Sequence, residues 1–267
     1  MSYWKNKVAL VTGGSRGLGR VIAQAFGRAG CRVAIVGLEA ADVEQAATQM
    51  NEAGIVTLDV CADITRQEDV DRLFDETLAR FGRLDVLVNN AGRTDRGKVL
   101  DTPPEQFRLL LELNLVALVR CTRAAVPHLL KNRGHVVNIG SLAAKSAARW
   151  IGAYPASKHA VAAYSQQLRL ELGSEGLHTL LVCPGPIERK DERLYPLEGL
   201  EDLPEQARRP GAGVRMRGIP PEKLARAILR SCQKRRPEVT IPARARLVFA
   251  LQQLWPRLGD WLVLRST

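Results

Sequence analysis

Lys7-Val-Ala-Leu-Val-Thr12-Gly13-Gly-Ser-Arg-Gly17-Leu-Gly19 reads as a short apolar strand, a glycine turn and the opening of a helix whose periodic residues are Val21, Ile22, Ala25 and Phe26. Strand, glycine turn, helix is the order a dinucleotide site requires. Glycines let the backbone come close to a pyrophosphate, and the helix start offers free N–H groups at the positive end of its dipole. The spacing is Gly-x-x-x-Gly-x-Gly rather than Gly-x-Gly-x-x-Gly. Turns favour glycine for other reasons too, so the signal takes its weight from its place at the end of the first strand.

The pattern then repeats. Apolar runs at 32–36, 55–60, 84–88, 134–139 and 177–183 read as strands, with a last short one at 238–241. Helical periodicity covers 40–53, 68–81, a long stretch from Pro103-Pro104 to about Lys131, then 154–172 and 220–234. Strands without polar alternation, separated by helices, indicate a parallel sheet covered on both faces. The expected fold is therefore α/β: a single doubly wound, Rossmann-like parallel sheet over residues 1–241, with a helical extension at 242–267. Residues 186–219 are polar and rich in Pro, Gly and charge, the composition of a lid or mobile loop. Ligands of such sheets bind beyond the strand C-termini. Those ends carry Thr12-Gly13, Asp63, Asn89-Asn90-Ala91-Gly92, Ser141 and Pro184-Gly185.

Tyr154-Pro-Ala-Ser-Lys158 opens the 154–172 helix. Residues i and i+4 share a helix face, so the Tyr154 hydroxyl and the Lys158 ammonium can point at one spot. A phenol titrates near 10, and bringing it near 7 takes about 4 kcal/mol of preference for the phenolate. A neighbouring ammonium supplies a field of that sign. The same helix has a second face of small residues, Ala156, Ala160 and Ala163, which suits packing against a second subunit. In the preceding long helix Asn114 stands among Leu111, Leu113, Leu115 and Val116. A buried amide there either finds partners or kinks the helix.

The 267 residues suit one large domain, and no run of 18 apolar residues occurs. The first strand starts too early for a signal peptide ahead of it, so an intracellular, cytoplasmic protein is expected. Five cysteines, Cys31, Cys61, Cys121, Cys183 and Cys232, have no metal-like spacing and read as reduced thiols, four of them in apolar surroundings. No metal site is expected. The formal charge of +11 is uneven: from Gly211 to Thr267 twelve Lys/Arg face three acids. Nucleic-acid binding would need a basic patch with interleaved aromatics or a reader motif, and little beyond the two tryptophans of the tail meets that requirement.

Taken together, these residues resemble the short-chain dehydrogenase/reductase family, in its compact single-domain branch, over about residues 7–241. Thr12-Gly13-x-x-x-Gly17-x-Gly19 is similar to its cofactor turn, Asp63 matches the acid that contacts the adenine, and Asn89-Asn90-Ala91-Gly92 is similar to a motif supporting the sheet. Asn114, Ser141, Tyr154 and Lys158 match its catalytic tetrad. The resemblance implies hydride transfer between a nicotinamide cofactor and a small carbonyl or secondary alcohol substrate. Tyr154 would be acid and base, Lys158 would lower its pKa and hold the nicotinamide ribose, Ser141 would bind the reacting oxygen, and Asn114 would anchor a proton-relaying water. It further implies a cofactor site of Gly13, Ser15, Arg16, Gly17, Leu18, Gly19, Asp63, Ile64, Asn90, Ala91, Gly92, Tyr154, Lys158, Pro184, Gly185 and Ile187, and a homo-oligomer, dimer or tetramer. A non-catalytic dinucleotide-binding sensor or scaffold is the alternative, which a broken tetrad would favour.

Two departures stand out. Where the family often has a Thr to contact the nicotinamide amide, this chain has Arg189. At the end of the second strand the NAD-preferring acid is replaced by Gly37, and the NADP-preferring Arg by Leu38. Arg16 matches a basic position of NADP-preferring members, and no acid at Gly37 repels a 2′-phosphate. NADP is the expected cofactor, with NAD as the alternative and Glu39 the argument for it.

Beyond Ile241 a helix candidate carries Leu247, Leu251 and Leu254, and Leu258, Trp261, Leu262 and Leu264 follow Pro256. A pair of amphipathic helices broken at Trp255-Pro256 is expected, burying Leu247, Leu251, Leu254, Trp261 and Leu262. A protein surface or peripheral contact with an anionic membrane would each satisfy that face. Close alternation of charge and apolar groups argues for protein.

Overall fold

The opening apolar run forms β1 (Val8–Thr12), buried at all five positions, near the middle of a seven-stranded sheet. A computed structural model describes residues 3–188, 203–208, 210–214 and 216–266. After β1 come α1 (Gly17–Arg28), β2 (Arg32–Gly37), α2 (Ala40–Glu52), β3 (Thr57–Cys61), α3 (Gln67–Phe81) and β4 (Val86–Asn89). Next are α4 (Pro104–Leu111), α5 (Ala117–Lys131), β5 (His135–Ile139), α6 (Tyr154–Leu172) and β6 (His178–Pro184). A short α7 (Glu205–Arg208), α8 (Pro221–Gln233), β7 (Glu238–Ile241), α9 (Ala245–Leu254) and α10 (Pro256–Ser266) complete the chain.

The sheet order is β3-β2-β1-β4-β5-β6-β7, and every neighbouring pair is parallel. Parallel neighbours need crossovers, and the crossover helices cover both faces. On one face α1, α2 and α8 bury Ile22, Phe26, Val43, Leu224 and Ile228. On the other, α3, α5 and α6 bury Val70, Leu73, Cys121, Leu129 and Leu168. The expected doubly wound architecture is therefore present. The order reverses between β1 and β4, which opens a crevice at their C-terminal ends. Cys31, Cys121, Cys183 and Cys232 are buried and Cys61 is exposed, and burial pushes the first three thiols up to about 12.

One expectation needs correction, and a second finds its apolar face uncovered within this chain. The long helix to Lys131 is not one α-helix: Glu112–Val116 forms a π-helical turn between α4 and α5, and Asn114 lies inside it. The wider turn offsets the helix around that residue. The tail does form two helices broken at Trp255-Pro256, but Leu247, Leu254 and Trp261 are exposed and only Leu251 and Leu262 are half-buried. Much of the loop at 186–219 lies outside the described residues.

At the N-terminal edge of the sheet the Tyr3 hydroxyl lies 2.9 Å from His135 Nε2, His135 Nδ1 lies 2.9 Å from His178 Nδ1, and His178 Nε2 lies 2.8 Å from the Arg236 carbonyl. A carbonyl only accepts, so His178 Nε2 donates. His178 Nδ1 must then accept from His135, whose Nε2 accepts from Tyr3. Both rings are neutral in this chain of bonds. Burial, reinforced by neighbouring positive charge, pushes His135 down to about 3, and burial pushes His178 down to about 4. Below about pH 6.5 the unfolded chain takes up protons that the folded chain refuses, so stability falls with falling pH. Denaturant unfolding from pH 6.5 to 4 should show this loss, to which the pair contributes up to about 2.7 kcal/mol per pH unit. His178→Gln keeps a donor and an acceptor and should reduce the slope by about one proton. An unchanged slope would contradict the neutral pairing.

Candidate active site

The glycine turn after β1 is locked to the end of β4. Thr12 Oγ1 accepts the N–H groups of Asn90 and Ala91, each at 3.0 Å, and Asn90 Nδ2 donates back to the carbonyls of Thr12 and Gly13 at 2.9 and 3.2 Å. Gly13 takes φ +63° there. A Cβ on Gly19 would stand 2.0 Å from the Gly13 carbonyl oxygen and 2.4 Å from Asn90 Nδ2, so only glycine lets α1 begin this close to the turn. Gly17, at φ +52°, would meet no protein atom within 4 Å. α1 starts without a side-chain cap and without an acid in its first turn, leaving its N–H groups to a ligand. The chemistry of this turn fits a dinucleotide pyrophosphate.

Around it, Ser15 and Ile64 are buried, and the exposed Arg16 guanidinium sits 3.7 Å from Asp42. A Cβ on Gly37 would stand 2.8 Å from Ser15 Oγ, so a side chain at the end of β2 would have to displace the Ser15 hydroxyl. Asp63 Oδ1 accepts from the Thr65 backbone and hydroxyl at 2.9 and 2.7 Å, and the Asp63 N–H is held by Asp69 at 2.8 Å. These bonds fix the loop after β3 at the strand-end edge.

The second half of the site is built on α6. Lys158 is buried, its Nζ donating to the Ile139 carbonyl at 2.8 Å and lying 5.8 Å from the centre of the Tyr154 ring. Burial pushes the Lys158 ammonium down to about 8, so at neutral pH it stays charged in a place water barely reaches. Asn114 is satisfied on both sides. Its Oδ1 accepts the Arg93 N–H at 2.9 Å, and its Nδ2 donates to the Arg93 carbonyl at 3.0 Å and to Ser157 Oγ at 2.9 Å. A Cβ on Gly92 would stand 2.7 Å from Asn114 Oδ1 and 3.7 Å from Lys158 Nζ, which places these residues around one point. Ser141 stands two residues beyond β5, its hydroxyl accepting the Ala143 N–H at 3.1 Å, while Tyr154 packs against the cluster of Ala143, Ile151 and Ala212.

Ser157 was not among the expected site residues, yet it links Asn114 to the Tyr154 carbonyl, to which it donates at 2.8 Å. Asp95 is another: its Oδ2 accepts the Ala153 N–H at 3.1 Å and steadies the approach to Tyr154. Behind the site, Asn89 Nδ2 donates to Asn138 Oδ1 at 2.9 Å and to Thr122 at 3.0 Å, and Asn138 donates to Ser165 at 2.9 Å. Ser157, Val161, Ser165 and Leu168 form the buried stripe of α6, and two serines at core positions were the signal available in the sequence. At the end of β6, Gly185 donates to the Ile241 carbonyl at 2.8 Å and Ile187 pairs with Ile219. Arg189 lies outside the described residues. Trp150 packs on Leu203 and Ala207 with the exposed Arg149 guanidinium 4.2 Å from its ring centre.

Residues 7–192 match the family model described as short chain dehydrogenase. The chain is a member of the short-chain dehydrogenase/reductase family. Among similar proteins of this family, the chain is 40% identical over 185 residues to an L-fucose dehydrogenase of Bos taurus, covering 69% of this chain and 67% of that one. It is 30% identical over 271 residues to the probable oxidoreductase EphD of Mycobacterium tuberculosis, covering 99% of this chain and 45% of EphD, so it spans less than half of that relative's length. The apo crystal structure of LigD from Sphingobium sp. strain SYK-6 shares the fold, with a TM-score of 0.78 at 23% identity over 99% of this chain and 98% of LigD. Membership makes the chain a short-chain dehydrogenase/reductase oxidoreductase and implies a nicotinamide dinucleotide.

Holding Lys158 charged out of water costs folding stability. The depression from 10.5 to about 8 corresponds to about 3 kcal/mol at neutral pH, partly offset by the bond to Ile139. Lys158→Met should therefore raise the melting temperature of the cofactor-free protein at pH 7. The gain should narrow as pH rises from about 8 towards 10.5, where the folded wild type sheds its proton first. A less stable variant at pH 7 would contradict this.

Proposed function

We propose that the chain interconverts a carbonyl compound and the corresponding secondary alcohol with NADP as hydride carrier, using Tyr154 as the acid/base. The observation that carries this reading is the buried Lys158 ammonium 5.8 Å from the Tyr154 ring centre, with Asn114 and Gly92 closing around it. An ammonium beside a phenol favours the phenolate. In reduction the Tyr154 hydroxyl gives its proton to the substrate oxygen, and in oxidation its phenolate takes the proton back. The dinucleotide, when bound, supplies or accepts the hydride. Ser141 donates to the reacting oxygen, where charge develops. Asn114, already fixed by Arg93 and Ser157, holds the water through which Lys158 recovers its proton. Lys158 also binds the ribose hydroxyls on the nicotinamide side.

Support for NADP comes from Arg16 at the mouth of the glycine turn and from Gly37, which leaves no carboxylate to repel a 2′-phosphate. The phosphate takes Arg16 over from its loose pairing with Asp42. The exposed small residues Ala156 and Ala163 of α6, with Leu170 beyond them, suit the packing of two such helices in a dimer.

Tyr154→Phe should leave the melting temperature and dinucleotide affinity nearly unchanged and remove turnover in a screen of ketones and secondary alcohols. Retention of most activity would exclude Tyr154 as the acid/base. Arg16→Ala should weaken NADP binding about tenfold or more, as expected for a lost charge-assisted bond, with little effect on NAD. Equal losses for both would refute the preference.

A further inference from the structure

The last two helices present their apolar side chains outward. Leu247, Leu254, Trp255, Leu258, Trp261 and Leu264 are each between 42% and 70% exposed. Leu247 and Leu254 lie two turns apart on α9, and Leu258, Trp261 and Leu264 follow at three-residue spacing on α10, so each helix carries an apolar stripe. The two helices do not use those stripes to hold each other. They cross at Gly259, where a Cβ would come 2.5 Å from Gln252 Cα. Beside the crossing, the Gln252 amide donates to Asp260 at 3.4 Å, and Gln252 Oε1 is buried with no hydrogen-bond partner. Leu251 and Leu262 are half-buried, but the six exposed side chains leave most of the hairpin's leucine and tryptophan surface without cover, unlike a helix pair that buries its apolar faces.

Charge says what covers it. Arg244, Arg246, Arg257 and Arg265 are exposed around the stripes, the Arg265 guanidinium 4.2 Å from the Trp261 ring centre, and Asp260 is the one acid between 243 and 266. A second copy would bring the same positive surface against it. We propose that the α9–α10 hairpin is an interfacial anchor that docks the protein on a bilayer containing anionic phospholipid. Tryptophan and leucine enter the headgroup boundary, and the arginines stay at its rim against lipid phosphates. With 10 and 11 residues the two helices are about 15 Å long and lie in the interface, and no helix among the described residues is long and apolar enough to cross a membrane.

The test is co-sedimentation of the full chain with vesicles of phosphatidylcholine alone or mixed with phosphatidylglycerol, together with tryptophan emission. Binding to the mixed vesicles, a blue shift, release at about 1 M salt and little binding to phosphatidylcholine alone are expected. Trp261→Glu should abolish binding, and the double variant Arg257→Glu/Arg265→Glu should weaken it about tenfold or more. Both should keep the wild-type melting temperature and turnover. The double variant lies wholly on the surface and keeps the test open if Trp261→Glu misfolds. No binding to mixed vesicles at low salt, equal binding to both compositions, or binding unaffected by the charge reversals would overturn the proposal. So would a Trp261→Glu variant whose sedimentation velocity shows a smaller oligomer without any vesicle binding in the wild type, which would assign the face to a second copy.

Discussion

Lys158 has to keep a positive charge where water barely reaches, and the elements on its side of the sheet are arranged around that requirement. The Ile139 carbonyl at the end of β5 accepts a hydrogen bond from its Nζ. Gly92, shortly after β4, leaves room for the Asn114 amide beside it, whose Oδ1 a Cβ would meet at 2.7 Å. The π-helical turn sets Asn114 beside it, and Asn114 ties the loop at Arg93 to Ser157 on α6. Burial that depresses an ammonium also lengthens the reach of its field, because a low-dielectric surrounding screens it less. In the proposed chemistry that field acts on the Tyr154 phenol, at a cost in folding stability.

The other half of the site obeys a steric constraint. Thr12, Gly13 and Asn90 close a small ring of bonds between β1 and β4, and Gly19 must be without a side chain for α1 to start against it. Strand order reverses at this same pair, so the crevice and the uncapped helix start coincide. Asn89, Thr122, Asn138 and Ser165 extend the polar contacts into the core and fix α5 and α6 against the sheet that carries Lys158. The glycine-turn side, set by close backbone contact, and the Lys158 side, set by buried polar bonds, therefore share β4 as their common support.

Much of this was legible from residue order. Apolar runs without alternation identified a parallel sheet, and polar residues at strand ends marked its working edge. Asn114 allowed two readings, partners or a kink, and both hold: its amide oxygen and nitrogen each have partners, and it sits in a π-helical turn. Gly37 was readable only as a missing acid, whereas its closeness to Ser15 Oγ needs the turn and β2 to be seen together. Ser157 and Ser165 went unassigned because a serine on a helix looks solvated, although the apolar stripe through Val161 and Leu168 passes over both. In the tail the two helices and their break at Pro256 followed from periodicity, but which face points inward depends on the crossing at Gly259, and periodicity carries no information on that.

The proposed chemistry depends above all on the pairing of Lys158 with Tyr154. Its most direct measurement is the pH dependence of the hydride-transfer step in alcohol oxidation, followed in single turnovers with wild type and Lys158→Met. The account predicts that the wild-type rate rises with pH to a plateau reached well before a free phenol ionises, and that the variant's slower rate is still rising at that pH. Profiles with the same midpoint in both proteins would contradict it.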